Sequence, residues 1–196
     1  MLSYLFAFIV FIGTRIVLLG ELNKYIIVLV PLTCGIVFFL VLKKQILTYD
    51  YNVIVREPNL RKWYFESLKY AIYIQALCNI AINYIFNLDL TYISVVNTLY
   101  PVAAIYTVFL SPVLEEIVFR KWMFGHLHTK LGFWSSAIIS SFLFSFLHFN
   151  LSASIGMFLT GVLFCYFYKK SQSLMVTISA HITLNFLVLI AMTLRS

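Results

Sequence analysis

Charged side chains are scarce in this sequence, and acidic ones most of all. Asp, Glu, Lys and Arg make up 11% of the 196 residues, and seven of them are acidic. So few charges cannot cover a water-exposed surface, which excludes an ordinary soluble domain. Hydrophobic residues reach 62% and the mean hydropathy is +0.96. The composition therefore predicts an integral membrane protein whose main neighbour is the lipid bilayer.

Cysteine and linker sequence are scarce as well. Cys34, Cys78 and Cys165 lie singly in apolar segments without the paired spacing of a metal or redox motif, so we interpret them as small buried side chains. Gly/Ser linkers and internal repeats are lacking, which favours a single membrane domain over residues 1–196. The net charge of +7 does not indicate a nucleic-acid partner, because the basic residues cluster between apolar runs, as the positive-inside rule describes.

Apolar runs of membrane-spanning length predict an all-α bundle of about seven transmembrane helices. Residues 1–98 would hold the N-terminal helices and a cytoplasmic loop, and residues 99–194 the core that carries the polar motifs. Lys and Arg follow the second, fourth and sixth runs, which predicts a cytoplasmic N-terminus. Pro112 is expected to bend the fourth helix and Gly132 to end it. The predicted helices cover residues 2–19, 25–43, 63–86, 99–130, 133–149, 153–168 and 174–194.

Two adjacent carboxylates and an arginine interrupt the fourth apolar run. An ionisable group at membrane depth costs at least ~3 kcal/mol, so Glu115, Glu116 and Arg120 are candidate functional residues. Glu116 and Arg120 are four residues apart and can pair on one helix face, although such a pair also occurs for purely structural reasons. Glu115 points about 100° away around the helix. Its partners are therefore expected on other helices.

Histidines on two later helices are the predicted partners of Glu115. A hairpin about residues 131–132 would place Glu115 and His148 at one depth, because each lies 16 residues from that turn. His181 lies about 12 Å beyond the turn that precedes its helix. Asn185 follows one turn later on the same face. The sequence thus predicts that these side chains meet in one pocket.

Three motifs on successive helices resemble the signature motifs of the CAAX-protease and bacteriocin-processing family, also called CPBP or Abi, of intramembrane peptidases. This family includes the type II CAAX prenyl endopeptidases, and the resemblance covers roughly residues 100–190. It implies a catalytic core over residues 99–194 and hydrolysis of a peptide bond. The motifs are Glu115-Glu116-x-x-x-Arg120, Phe144-x-x-x-His148 and His181-x-x-x-Asn185.

The resemblance also implies a role for each motif residue. Glu115 would activate a water as general base, and His148 would hold the same water and protonate the leaving amine. His181 and Asn185 would form an oxyanion hole. Supporting roles, which orient these groups, would fall to Glu116, Arg120 and Phe144.

Cofactor and substrate are expectations of the same resemblance. A metal-free site is favoured, and the alternative is a zinc ion held by Glu115, His148 and His181. The substrate would be a small bacterial peptide precursor or a CAAX-type protein, and the composition favours a bacterial cell membrane. Two other functions are alternatives: a bacteriocin self-immunity protein that acts by binding, and a transporter of an ion or small solute, since intramembrane Glu and His also mark transport pathways.

Other polar and small residues in the apolar runs have structural interpretations. Asn79 and Asn83, four residues apart in the third predicted helix, favour helix packing over substrate contact. Gly156 and Gly161 are spaced by five residues, which does not match the GxxxG dimer motif. We expect the two glycines to allow a close approach between neighbouring helices.

Overall fold

The computed structural model describes residues 57–86, 104–148 and 150–194. Every regular element in these ranges is helical, which confirms the predicted all-α class for this part of the chain. The first two predicted helices and the loop after them lie outside the described residues. We call residues 106–124 the motif helix. The elements are α1 (Leu60–Phe86), the π-helical segment Tyr106–Leu110, α2 (Ser111–Glu115), the π-helical segment Glu116–Phe124, α3 (Gly125–Phe146), α4 (Leu151–Ser171) and α5 (Leu174–Thr193).

One helix among the described residues, α5, is both long and apolar enough to cross a membrane. The count of seven spans therefore stays a prediction. The described helix bounds agree with the predicted ones to within a few residues, and the predicted start of the fourth helix at residue 99 lies outside the described residues. The helix α4 continues to Ser171 and includes Lys169 and Lys170 in its last turn. Gln172 then ends α4 in a left-handed conformation with φ of 54°, so the connection to α5 is shorter than predicted.

The motif helix departs from the single bent α-helix that the sequence predicts. Two π-helical segments flank α2, and Pro112 lies at the start of α2. The Ser111 N–H donates to the carbonyl of Tyr106, five residues earlier. In the same pattern position 112 would donate to the Thr107 carbonyl, and proline has no N–H. The Thr107 carbonyl accepts a hydrogen bond from the side-chain Nδ2 of Asn185 at 3.0 Å.

Gly132 divides α3 into two limbs, as the sequence predicts for the end of the fourth helix. Its φ of 73° and ψ of −177° are non-helical, and glycine adopts a positive φ without steric cost. The limb after Gly132 runs back along the motif helix. Ring centroids lie 5.8 Å apart for Phe124 and Phe133 and 5.4 Å apart for Phe119 and Phe144. Since one residue number falls as the other rises, the two helices are antiparallel, which confirms the predicted hairpin.

Small residues let α4 pack closely against α1 and α3. The helix α4 lies between α1 and α3 and contacts both. A Cβ added at Gly161 would lie 2.8 Å from the Cβ of Ser141 on α3, and one added at Gly156 would lie 3.3 Å from the Cβ of Cys78 on α1. Both distances are shorter than ordinary contacts, so the two glycines do allow close helix approach.

Lysine and aromatic side chains gather at one end of this bundle, which we call the basic end. Lys170, at the end of α4, lies 4.3 Å from the ring centre of Trp63 at the start of α1. Lys169 lies 5.3 Å from the ring of Phe133, directly after the Gly132 turn. The start of α1, the α3 turn and the end of α4 therefore share one end of the molecule.

Candidate active site

The carboxylate of Glu115 lies between two imidazoles from different helices. It is the last residue of α2 and is 2% exposed. The Nε2 atom of His148 lies 3.7 Å from Glu115 Oε1, and the Nε2 atom of His181 lies 3.6 Å from Glu115 Oε2. The Ser111 hydroxyl, one turn earlier on the same helix, donates to Oε1. The structure thus brings together the three side chains that the sequence grouped and adds a fourth.

The ring of His148 is held by the backbone of α3. His148 lies just beyond the end of that helix, and its Nδ1 atom is 2.6 Å from the carbonyl oxygen of Phe144. A carbonyl can only accept, so Nδ1 carries the proton in this hydrogen bond. In the neutral ring Nε2 then has the lone pair, and this is the atom that faces Glu115. The Phe144 ring lies 4.6 Å from the His148 ring and fixes its plane.

Glu116 links His181 to a buried arginine. The Nδ1 atom of His181 donates to Glu116 Oε1 at 3.0 Å, and Arg120 Nε lies 3.2 Å from Glu116 Oε2. The guanidinium packs against two aromatic faces, 4.5 Å from the ring centre of Phe144 and 5.6 Å from that of Phe164. Both charged side chains are fully buried. This chain of contacts orients His181 so that its Nε2 faces Glu115.

Asn185 lines the same cavity as the three central side chains. It lies one turn beyond His181 on α5, and one of its two Nδ2 hydrogens goes to the Thr107 carbonyl. The hydrogen bond ties α5 to the motif helix at the turn before α2. The role of Asn185 in an oxyanion hole stays a prediction.

A cavity of about 210 Å³ adjoins the site. At ~30 Å³ per molecule this is the volume of roughly seven waters, enough for a reacting water and part of a larger ligand. Its walls come from the motif helix, α1, α3, α4 and α5. Beyond the site residues, the lining includes Gln75, Asn79, Met157, Thr160, Val188 and Met192.

Two contributors to this region are missing from the sequence-based site. Ser111 is a polar residue in an apolar run, four residues before Glu115, and that spacing places both on one helix face. The spacing is the signal that could have identified it. Asn79 lines the cavity, whereas the sequence interpretation gave it a packing role. No feature of the sequence shows which face of α1 meets the cavity.

The zinc alternative has suitable donor atoms in Glu115, His148 and His181. Each imidazole also has its Nδ1 hydrogen-bonded to an acceptor, as ligating histidines usually do. However, within the described ranges no group of three or more His, Cys, Asp and Glu side chains is placed to hold a metal ion. The zinc alternative stays a prediction.

Comparisons with known proteins agree with the three motifs. Residues 97–187 match a family described as type II CAAX prenyl endopeptidase Rce1-like. The chain is 34% identical over 90 residues to YdiL of Bacillus subtilis (strain 168), which is provisionally named a membrane peptidase. This alignment covers 46% of the chain and 37% of YdiL, so the chain spans little more than a third of that relative. No solved structure matches the chain. The matches confirm the predicted resemblance and support a membrane protease.

Proposed function

We propose that this protein is an intramembrane endopeptidase in which Glu115 and His148 activate a water molecule for peptide-bond hydrolysis. The observation that carries the proposal is the position of the buried Glu115 carboxylate between the Nε2 atoms of His148 and His181, at 3.7 and 3.6 Å. The family match and the similarity to YdiL support the same class of reaction. We propose this activity for the whole protein.

The geometry suits a water shared by Glu115 and His148. Their facing atoms are 3.7 Å apart, which is beyond hydrogen-bond length, and a separation of this kind often accommodates a bridging water. The Glu115 oxygen and the neutral His148 Nε2 are both acceptors. One water can donate a hydrogen to each of them. Its oxygen lone pairs then point away from both groups, toward a substrate in the cavity.

Hydrolysis then proceeds without a covalent enzyme intermediate. Glu115 takes a proton as the water oxygen adds to the carbonyl carbon of the peptide bond, and the carbonyl oxygen becomes negative. The second Nδ2 hydrogen of Asn185 and the Nε2–H of His181, in its doubly protonated form, stabilise this oxygen. The proton that Glu115 took passes to Nε2 of His148, which delivers it to the nitrogen as the C–N bond breaks. The products are a carboxylic acid and an amine, and Glu115 and His148 regain their starting protonation states.

The surrounding charges keep the catalytic groups in place. Glu116 is occupied by Arg120 and His181, so it serves as a positioning residue. We propose a metal-free reaction, and the alternative is a zinc ion held by Glu115, His148 and His181. The substrate class is a peptide, either a small bacterial precursor or a CAAX-type protein.

The direct test is cleavage of internally quenched peptides by purified protein in liposomes. We expect Glu115→Gln to lower kcat/KM by about 10²–10⁴-fold, the usual contribution of general-base catalysis. Glu66→Gln is the matched control, because Glu66 pairs with Lys69 on the surface at 2.8 Å. A chelator should leave the wild-type rate unchanged. Full activity of Glu115→Gln would contradict the proposal, and a chelator-sensitive rate that zinc restores would support the zinc alternative.

A further inference from the structure

The helix α1 contributes a polar wall to the cavity. Gln75 and Asn79 both line it, and their spacing of four residues puts them on one helix face. Both lie outside residues 97–187, the part matched by the family model. The wall is therefore a feature of this chain that the family resemblance does not account for.

Gln75 is engaged in holding α1 against α4. Its Nε2 donates to the Thr160 hydroxyl at 3.2 Å, and Thr160 is 4% exposed. A Cβ added at Gly156 would lie 2.9 Å from the Gln75 side-chain oxygen. The two helices thus meet closely at Gln75, and the position of the next turn of α1 is fixed relative to the cavity.

Asn79 has no corresponding partner among the described residues. Its side chain is half-buried and makes no hydrogen bond to another residue within the described ranges. A carboxamide that faces an apolar environment without a partner costs free energy. It offers one acceptor oxygen and two donor hydrogens. A peptide group presents the complementary N–H and C=O, so an exposed peptide backbone satisfies both sides.

Part of the remaining cavity wall is apolar. Leu184, Val188 and Met192 line it from α5, and Met157 lines it from α4. Such a surface favours an aliphatic side chain over a charged one. The combination of one carboxamide and several aliphatic side chains matches a short stretch of apolar peptide.

We propose that Asn79 is a substrate-binding residue that hydrogen-bonds the backbone of an apolar peptide beside the site of cleavage. The inference rests on the proposed peptidase function and specifies how its substrate is held. It replaces the packing role that the sequence suggests for Asn79. Asn83, one turn further along α1, is exposed and does not line the cavity, so it has no such role.

Binding can be measured without turnover in the Glu115→Gln protein. The probe is a dye-labelled decapeptide of Leu, Val and Ala, titrated into proteoliposomes and followed by fluorescence anisotropy. We expect Asn79→Leu to raise Kd about tenfold, which corresponds to ~1.4 kcal/mol, because the hydrogen bonds from Asn79 to the peptide are lost. Asn83→Leu is the matched control and should leave Kd unchanged.

A second probe tests whether the backbone is what Asn79 contacts. It has the same sequence with N-methylated amides, which cannot donate a hydrogen bond. Protein that retains Asn79 should bind this probe more weakly than the parent peptide, whereas Asn79→Leu should bind the two equally. The inference is overturned if Asn79→Leu binds the parent peptide as tightly as the Glu115→Gln protein does, or if Asn79→Leu still discriminates between the two probes. It is also overturned if Asn83→Leu weakens binding as much as Asn79→Leu, or if no variant binds either probe.

The two proposals fail in different ways. If the wild-type protein binds the decapeptide through Asn79 but cleaves no peptide, the hydrolase proposal is wrong and the binding role of Asn79 stands. If peptides are cleaved and Asn79→Leu changes neither Kd nor KM, the binding role is wrong and the hydrolase proposal stands.

Discussion

Glu115 and Glu116 are neighbours in sequence but have different electrostatic surroundings. Glu116 contacts the guanidinium of Arg120 and the Nδ1 of His181, and it is fully buried. Removal of either partner would leave a buried charge without compensation, which is strongly destabilising. Glu115 faces the Nε2 atoms of two histidines and borders a cavity. One carboxylate is therefore suited to hold the structure and the other to exchange a proton.

The grouping of Glu115, His148 and His181 could be predicted because helix geometry fixes depth. Equal distances from a hairpin turn place two residues at one height whatever the detailed packing. The contact from Ser111 could not be predicted in the same way. A serine in a helix commonly bonds to a backbone carbonyl one turn earlier, so its choice of a carboxylate depends on the three-dimensional site.

Ser111→Ala is expected to lower activity without unfolding the protein. The Ser111 hydroxyl donates to Glu115, and a hydrogen bond to a charged group contributes about 1.5–3 kcal/mol. Loss of the bond lets the carboxylate rotate away from the water, so we expect kcat for the quenched peptides to fall roughly tenfold or more. Activity and melting temperature in detergent, measured together, check this.

A second buried serine provides the control for Ser111. Ser136 donates to the carbonyl oxygens of Gly132 and Phe133 at the α3 turn, away from the cavity. Ser136→Ala should leave kcat unchanged. An unchanged kcat in Ser111→Ala would show that its hydroxyl does not position Glu115.

At the scale of elements, the π-helical segments around α2 are the part of the fold that sequence reasoning missed. Proline was predicted to bend an α-helix, because it lacks a donor and crowds the preceding turn. The chain instead widens its turns on both sides of α2, and π turns are frequent at functional sites. The Thr107 carbonyl, five residues before Pro112, accepts a hydrogen bond from Asn185 on α5. Such compensation between distant helices is not visible in a one-dimensional pattern.

This arrangement predicts energetic coupling between Pro112 and Asn185. Asn185→Leu should destabilise the protein by about 1–3 kcal/mol, because it removes the hydrogen bond that Asn185 donates to the Thr107 carbonyl. In a Pro112→Ala background the backbone regains an N–H at position 112. The same Asn185→Leu change should then cost clearly less.

A double-mutant cycle on unfolding free energy in detergent measures this coupling. The Thr107 side chain bonds its own helix, with its hydroxyl donating to the carbonyl of Ala104 at 3.1 Å, so Thr107→Val serves as a control outside the cycle. Equal costs of Asn185→Leu in the two backgrounds would contradict the proposed compensation.

At the scale of the whole molecule, the basic end distinguishes one end of the bundle from the other. Lys169 and Lys170 contact aromatic rings at the start of α1 and beside the α3 turn. Lysines and aromatic residues mark a membrane interface, and an excess of lysine marks its cytoplasmic side. The pattern of connections predicted this clustering, because alternate turns of a helical bundle lie at one end. The predicted orientation of the N-terminus rests on residues outside the described ranges.

The orientation can be tested with a reporter that is active only outside the cytoplasm. Alkaline phosphatase inserted in the turn at residues 172–173, at the basic end, should be inactive. The same enzyme fused after α5 should be active, since a helix crossing separates the two sites. Activity at residues 172–173 together with inactivity after α5 would reverse the orientation and contradict the assignment of the basic end to the cytoplasm.

The proposed reaction depends most on Glu115 and His148 acting together on one water. The most direct measurement is kcat/KM for peptide cleavage by the wild type, Glu115→Gln, His148→Gln and the double variant. Groups that act as a unit show strongly non-additive losses. We therefore predict that kcat/KM of the double variant lies within a few-fold of kcat/KM of the slower single variant. A double variant whose loss equals the product of the two single losses would contradict the shared water and the mechanism built on it.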